Sequence, residues 1–162
     1  MLVGQYQGAD DPAASIRATK SALVLGGLYV LLFALGVFLL SDAIMDVFRG
    51  AETSFDTAPF HALGRTLMWL MLSWAAFDAV SLIVGGALKG AGDTKFVMFA
   101  LMAISLGLWM PAVFLVLHFH PTITLLWLTM PFYCCVCAVT CIVRFACGGW
   151  KRLRIVDDLV TR

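Results

Sequence analysis

One acid stands at a depth where an acid is costly. From Thr66 to Leu88 the chain is apolar without a break except at Asp78, about halfway along. A stretch of that length, at ~1.5 Å per residue, crosses a hydrocarbon layer of ~30 Å as a helix. A carboxylate placed midway costs about 2.5–3.5 kcal/mol on insertion scales, and it responds by taking a proton, pairing, or holding a cation. Two chemistries follow. Asp78 is either a hydrogen-bonded acid that fixes how helices pack, or an acid that loads and releases a coupling ion. Its helical neighbours at i±3 and i±4 are Trp74, Ala75, Ser81 and Leu82. Ser81 can donate a hydrogen bond or coordinate through oxygen. Trp74 can offer its ring face to a cation, an attraction of about 2 kcal/mol when desolvated. Met71 and Met68 can line a pliable cavity or fill a core. Packing is the alternative role for each of these four side chains.

The other reactive side chains carry weaker signals. Cys134, Cys137 and Cys141 recur at i, i+3 and i+7 on one helical face; Cys135 and Cys147 complete the set of five. A C-x-x-C pair can be redox-active or bind metal. With no His or carboxylate near in sequence, small residues on one face of a membrane helix read as packing. His118 and His120 lack further ligands in sequence, and His61 carries no signal, so no metal site is expected. Gly86, Lys89, Gly90, Gly92, Asp93 and Thr94 form a turn motif with a structural reading. The glycines let the chain fold tightly, and Asp93 is placed to cap the next helix. The GxxxxGK[ST] order of a phosphate cradle is absent.

The elements that must carry these residues are membrane helices. The 162 residues are 62% hydrophobic and 13% charged, with mean hydropathy +0.95, where soluble domains run near a quarter charged. A net charge of +1 says nothing about nucleic acid, and no basic run interleaved with aromatics suggests a nucleic-acid surface. The first residues lack the charged and apolar regions of a signal peptide. Asp11 followed by Pro12 is a helix start, with Asp as N-cap and Pro at the first helical position. Four spans are expected, at 21–40, 66–88, 94–117 and 122–143. The segment 41–65 between the first two is the longest polar connection, with Asp42, Asp46, Arg49, Glu52, Asp56 and His61. Within it Ile44, Val47 and Phe48 suggest a short amphipathic turn in the interface. Pro111 should bend the third span, and Pro131 lies inside the fourth. The expected division is a 1–20 segment, a four-helix bundle over 21–145, and a basic tail over 146–162.

Orientation follows from the cations. Alternating spans put Arg17, Lys20, Lys89, Lys95, Arg144, Lys151, Arg152, Arg154 and Arg162 on one side, against Arg49 and Arg65 on the other. Both termini are therefore expected in the cytoplasm, with the chain in the inner (plasma) membrane. Trp69, Trp109, Trp127 and Trp150 lie near span ends, as interfacial anchors do.

Three segments then point to one family. GGALKGAGDTK, with Asp78 shortly before it, resembles the turn that follows an acid-bearing helix in multidrug and toxic compound extrusion (MATE) transporters. VGQYQGADDPAAS and RFACGGWKRLRI resemble two further segments of that family, in the right order. The resemblance covers nearly the whole chain and implies the last four helices of a twelve-helix, two-lobed all-α membrane fold. It further implies export of cationic, lipophilic compounds in exchange for Na⁺ or H⁺, with no other cofactor and no enzymatic reaction. Asp78 would then carry the coupling ion, with Trp74, Ser81 and Met71 lining its surroundings. The chain lacks the N-terminal lobe, the seventh helix and most of the eighth, so it is expected to be a portion that needs that lobe or a companion chain. Two other classes compete: a small four-helix efflux protein acting as a dimer, and a membrane thiol oxidoreductase using Cys134 and Cys137.

Overall fold

The computed structural model describes residues 2–9, 11–49 and 57–152. All the regular structure among them is helical: α1 (Leu2–Gly8), α2 (Pro12–Arg49), α3 (Thr57–Gly90), α4 (Thr94–Ile104), a π-helical turn (Ser105–Trp109), α5 (Met110–Phe119), α6 (Ile123–Cys147) and a closing 3₁₀ turn (Gly149–Arg152). Among the described residues four helical segments are long and apolar enough to cross a membrane: Pro12–Val47, Pro59–Gly90, Thr94–Phe119 and Ile123–Cys147. Helices suit that setting because every backbone polar group must find its partner within the segment. The tail from residue 153 onward, including Arg154 and Arg162, lies outside the described residues.

Local signals explain where the helices begin and end. The Asp11 carboxylate accepts the Ala14 amide at 2.9 Å, which is the N-cap bond expected with Pro12 at the first helical position. α3 ends in a Schellman turn: the Gly92 amide donates to Lys89 O at 3.1 Å and the Asp93 amide to Leu88 O at 3.0 Å. Gly92 holds φ at +93°, a conformation in which a Cβ is strained. Helix α1 crosses Gly90 so closely that a Cβ on Gly4 would lie 3.0 Å from Gly90 O. The close approach of α1 rests on Gly4 and not on Gly90, where a Cβ would meet only ordinary contacts at 3.5 Å. Gly86 needs neither device, since a Cβ there meets nothing within 4 Å.

Three expectations need correction. The segment 41–65 is not mainly a loop, because α2 continues to Arg49 and α3 already begins at Thr57. Cross-helix pairs accommodate its charges: Arg65 Nη2 reaches Asp42 Oδ1 at 3.3 Å, and His61 Nε2 lies 3.9 Å from Asp46 Oδ1. Ile44 and Val47 are thus part of α2 rather than a separate interfacial turn, and buried Met45 lies over Gly64 of α3. Glu52, Asp56 and the side chain of Phe48 lie outside the described residues.

In the third span a π-helical turn accompanies the proline. The π-helical turn at Ser105–Trp109 precedes Pro111, and the Met110 amide bonds Ser105 O five residues back. Widening the helix there adjusts the turn against which the proline ring would otherwise clash. Asp93 opens α4 but makes no side-chain cap bond. Trp150 is no interfacial anchor. It is fully buried, stacks on Phe145 at 4.9 Å, and donates its indole N–H to Phe145 O at 2.9 Å.

The core lies at one end of the bundle. Val84, Leu88, Ala91, Val97, Cys141 and Trp150 form its buried centre, with Val3 and Ile16 packed against it. α1, the α3–α4 turn and the end of α6 therefore meet at the same end.

The two glycine environments predict opposite outcomes. Gly92→Ala is expected to destabilise the bundle by about 1–2 kcal/mol through its positive φ, whereas Gly86→Ala should be neutral or stabilising by up to ~1 kcal/mol. Unfolding midpoints of the detergent-solubilised variants check this; equal losses at both sites would refute it.

Candidate ion and substrate site

The site is built on the seam between α3 and α6, which run in the same direction. Asp78, Ser81 and Gly85 recur on α3 at i, i+3 and i+7; Cys134, Cys137 and Cys141 recur on α6 with the same spacing. Such a repeat keeps one narrow stripe of each helix facing its partner. The three cysteines are all buried. A Cβ on Gly85 would lie 3.6 Å from Cys141 Sγ, an ordinary van der Waals contact, so the two helices are closely but not tightly apposed there.

Asp78 is half-buried in this seam and accepts a hydrogen bond from Cys134 Sγ at 3.9 Å. A thiol is a weak donor, so this contact orients the carboxylate without neutralising it. Trp74, one turn earlier, interacts through its indole with the same Cys134 thiol. Ser81, one turn later, is engaged with the Cys141 thiol. Trp74 is 36% exposed, so part of its ring remains open to a ligand. Met71 continues the stripe by spacing and is half-buried. The structure thus brings Asp78, Trp74 and Ser81 together along a thiol face that the sequence had suggested was packing alone.

The surrounding side chains limit what the acid can hold. Thiols are soft ligands, while hard cations take oxygen. Among the described residues no group of three His, Cys, Asp or Glu side chains is placed to hold a metal ion. The one side-chain oxygen near Asp78 by helical spacing is Ser81, and a proton requires no further ligand. Met68 lies elsewhere, in a cavity of about 380 Å³ with Asp42 and Arg65.

The turn motif holds its end of the bundle by a contact that sequence spacing does not reveal. Asp93 is buried, and its Oδ2 accepts a hydrogen bond from Arg144 Nε of α6 at 2.7 Å. The Arg144 guanidinium also lies over the Phe96 ring, 4.6 Å from its centroid. This pair supplants the expected cap: Asp93 tethers the α3–α4 turn to α6 instead of bonding α4's first amides. Lys89 and Thr94 are exposed on either side of the turn. Arg144 read only as a positive charge in the sequence. The available clue was that it and Asp93 are opposite charges assigned to the same membrane side.

Comparison with known proteins adds the family. The MatE family profile matches residues 1–115. A probable multidrug resistance protein NorM from Bradyrhizobium diazoefficiens is 34% identical over 121 residues, covering 73% of this chain and 25% of that protein. Another probable NorM, from Rhodopseudomonas palustris, is 32% identical over 108 residues, 66% of this chain and 22% of the relative. A NorM from Burkholderia vietnamiensis is 29% identical over 107 residues, again 66% and 22%. The chain spans about a quarter of the length of these curated relatives. No solved structure matches it.

Burial predicts an order of thiol reactivity. N-ethylmaleimide should label exposed Cys147 first, with Cys134, Cys137 and Cys141 reacting only on unfolding. Asp78→Ala should speed labelling at Cys134 more than at Cys141. Site-resolved mass spectrometry reads both, and rapid labelling of all three seam cysteines in the folded chain would contradict the packing described.

Proposed function

The chain belongs to the MatE family, and from that premise we propose that it forms part of the wall of a cation-coupled multidrug efflux antiporter. Multidrug resistance is what the matching relatives' names state, and four membrane-spanning helices suit transport. Asp78 is the coupling residue in this reading. The observation that carries it is a carboxylate well inside α3 whose described side-chain hydrogen bond comes from a single weak thiol donor. Such a group gains much from an ion, and gives it up when the surroundings become polar.

The coupling ion is a proton. Asp78 alone can bind it, whereas the neighbouring thiols add nothing for Na⁺. Protonation cancels the charge facing Cys134 and relaxes the cost of holding the acid in lipid. Deprotonation restores a negative site, and the part-exposed ring of Trp74 beside it attracts a cationic, lipophilic compound. The two cargoes thereby exclude one another electrostatically, which is what exchange requires. The turn at 90–94 and the end of α6 face the cytoplasm, as the distribution of Lys and Arg favours. An N-terminal lobe, on the same polypeptide or a companion, supplies the facing wall.

Two measurements test this reading. Cells producing residues 1–162 alone are expected to insert the chain without exporting ethidium; export would show that these helices suffice. In vesicles carrying the chain together with an N-terminal lobe, an imposed pH gradient should drive ethidium transport, and Asp78→Asn should reduce it to background. Transport that survives the substitution would remove Asp78 from the mechanism, and transport driven by a Na⁺ gradient alone would overturn proton coupling.

A further inference from the structure

The opposite end of the α2–α3 pair carries a second polar feature within the membrane-spanning region, distinct from the Asp78 seam. Asp42 and Arg65 meet at 3.3 Å, with side chains 73% and 62% exposed. They stand at the rim of a cavity of about 380 Å³, whose walls include Phe38 and Trp69. These two rings lie 6.2 Å apart, and Trp69 is 53% exposed. A second cavity, of about 460 Å³, continues along the same two helices and shares Trp69 and Leu72 with the first. Its lining is apolar but for Ser73, and small residues such as Gly27, Ala34 and Ala76 leave it open.

The depth of the rim is informative. At ~1.5 Å per residue, Asp42 lies about 33 Å along α2 from Lys20, and Arg65 about 36 Å before Lys89 on α3. That separation matches a hydrocarbon thickness of ~30 Å with charges at both boundaries. The Asp42–Arg65 pair therefore sits at headgroup level, and the groove runs from it toward the acyl region.

We infer that this rim and groove bind one phospholipid whose headgroup carries both a phosphate and a primary ammonium, with an acyl chain in the α2–α3 groove. The guanidinium engages Asp42 through a single Nη2 contact, which leaves further N–H donors for phosphate oxygens. The Asp42 carboxylate accepts hydrogen bonds from the ammonium. Trp69 lines both cavities, so its ring stands at their junction, where an amphipathic indole suits the boundary between headgroup and acyl chain. A ligand of one sign would leave either Asp42 or Arg65 facing a like charge. The zwitterion satisfies both.

The test uses the 162-residue chain in nanodiscs holding phosphatidylethanolamine, its N-trimethylated analogue phosphatidylcholine, and phosphatidylglycerol in equal amounts, with native mass spectrometry of retained lipid. One phosphatidylethanolamine per chain should be retained, in preference to both others. Arg65→Gln and Asp42→Asn should each lower its retention about tenfold, the consequence of losing a charge-assisted hydrogen bond. Lys95→Gln, at the other end of the bundle, should not change it. Circular dichroism confirms that each variant is folded, and the comparison of the three lipids on the unmodified chain needs no variant. Equal retention of the three lipids overturns the inference. So does a preference for phosphatidylglycerol, which would indicate an anion site only, and so does retention indifferent to both substitutions in folded protein. Retention of no lipid at all also overturns it.

Discussion

The bundle depends on a seam lined by small side chains. α3 and α6 approach along a stripe where α3 presents Asp78, Ser81 and Gly85 and α6 presents three cysteines, and larger side chains would hold the helices apart. In lipid there is little hydrophobic drive to bring helices together, so close packing and polar contacts must do so. The seam is closed at one end by the Arg144–Asp93 pair and by Trp150 stacked on Phe145 beside it. Everything else is arranged around that closure: α1 crosses Gly90, and α4 departs from the turn that Arg144 holds.

Membrane physics made the gross plan readable. Four apolar runs of sufficient length, the Asp11–Pro12 start and the glycine-rich end of α3 are local features, and local features survive folding. The misplaced features involve partners far apart in sequence. Asp93 stands where an N-cap belongs, and spacing alone cannot show that a guanidinium 51 residues later binds its carboxylate instead. Trp150 follows a basic helix end, as interfacial tryptophans do, yet it is wholly buried in the cluster with Leu88, Val97 and Cys141. The acids and cations of 41–65 suggested a loop because each is costly alone. Paired across two helices, as Asp42 is with Arg65, they permit the helices to continue.

Asp78 itself was legible as an anomaly, but its surroundings were not. The cysteine stripe and the acid are each visible in sequence, 56 residues apart. Nothing in periodicity states that the two stripes face one another. Their meeting also weakens the redox alternative on physical grounds. Cys134 and Cys137 are buried against α3 and removed from any partner protein that would exchange disulfides with them. The family assignment independently favours transport.

The position of the acid along α3 carries a further consequence. Toward Gly90 the helix enters the buried core, where Val84 and Leu88 are 2% and 0% exposed. Toward Thr57 it is far more open, with Trp69, Trp74 and Phe77 at 53%, 36% and 39%. Asp78 stands at the border between these halves. An ion reaching it through the packed half would have to part Val84, Leu88 and Cys141, whose close contacts make that half resist deformation. The open half presents aromatic rings and no such barrier. The two sides of α3 that flank Asp78 thus differ in how tightly they are packed. If Asp78 binds an ion as proposed, the approach that disturbs the least packing is from the side of Trp74 and Phe77.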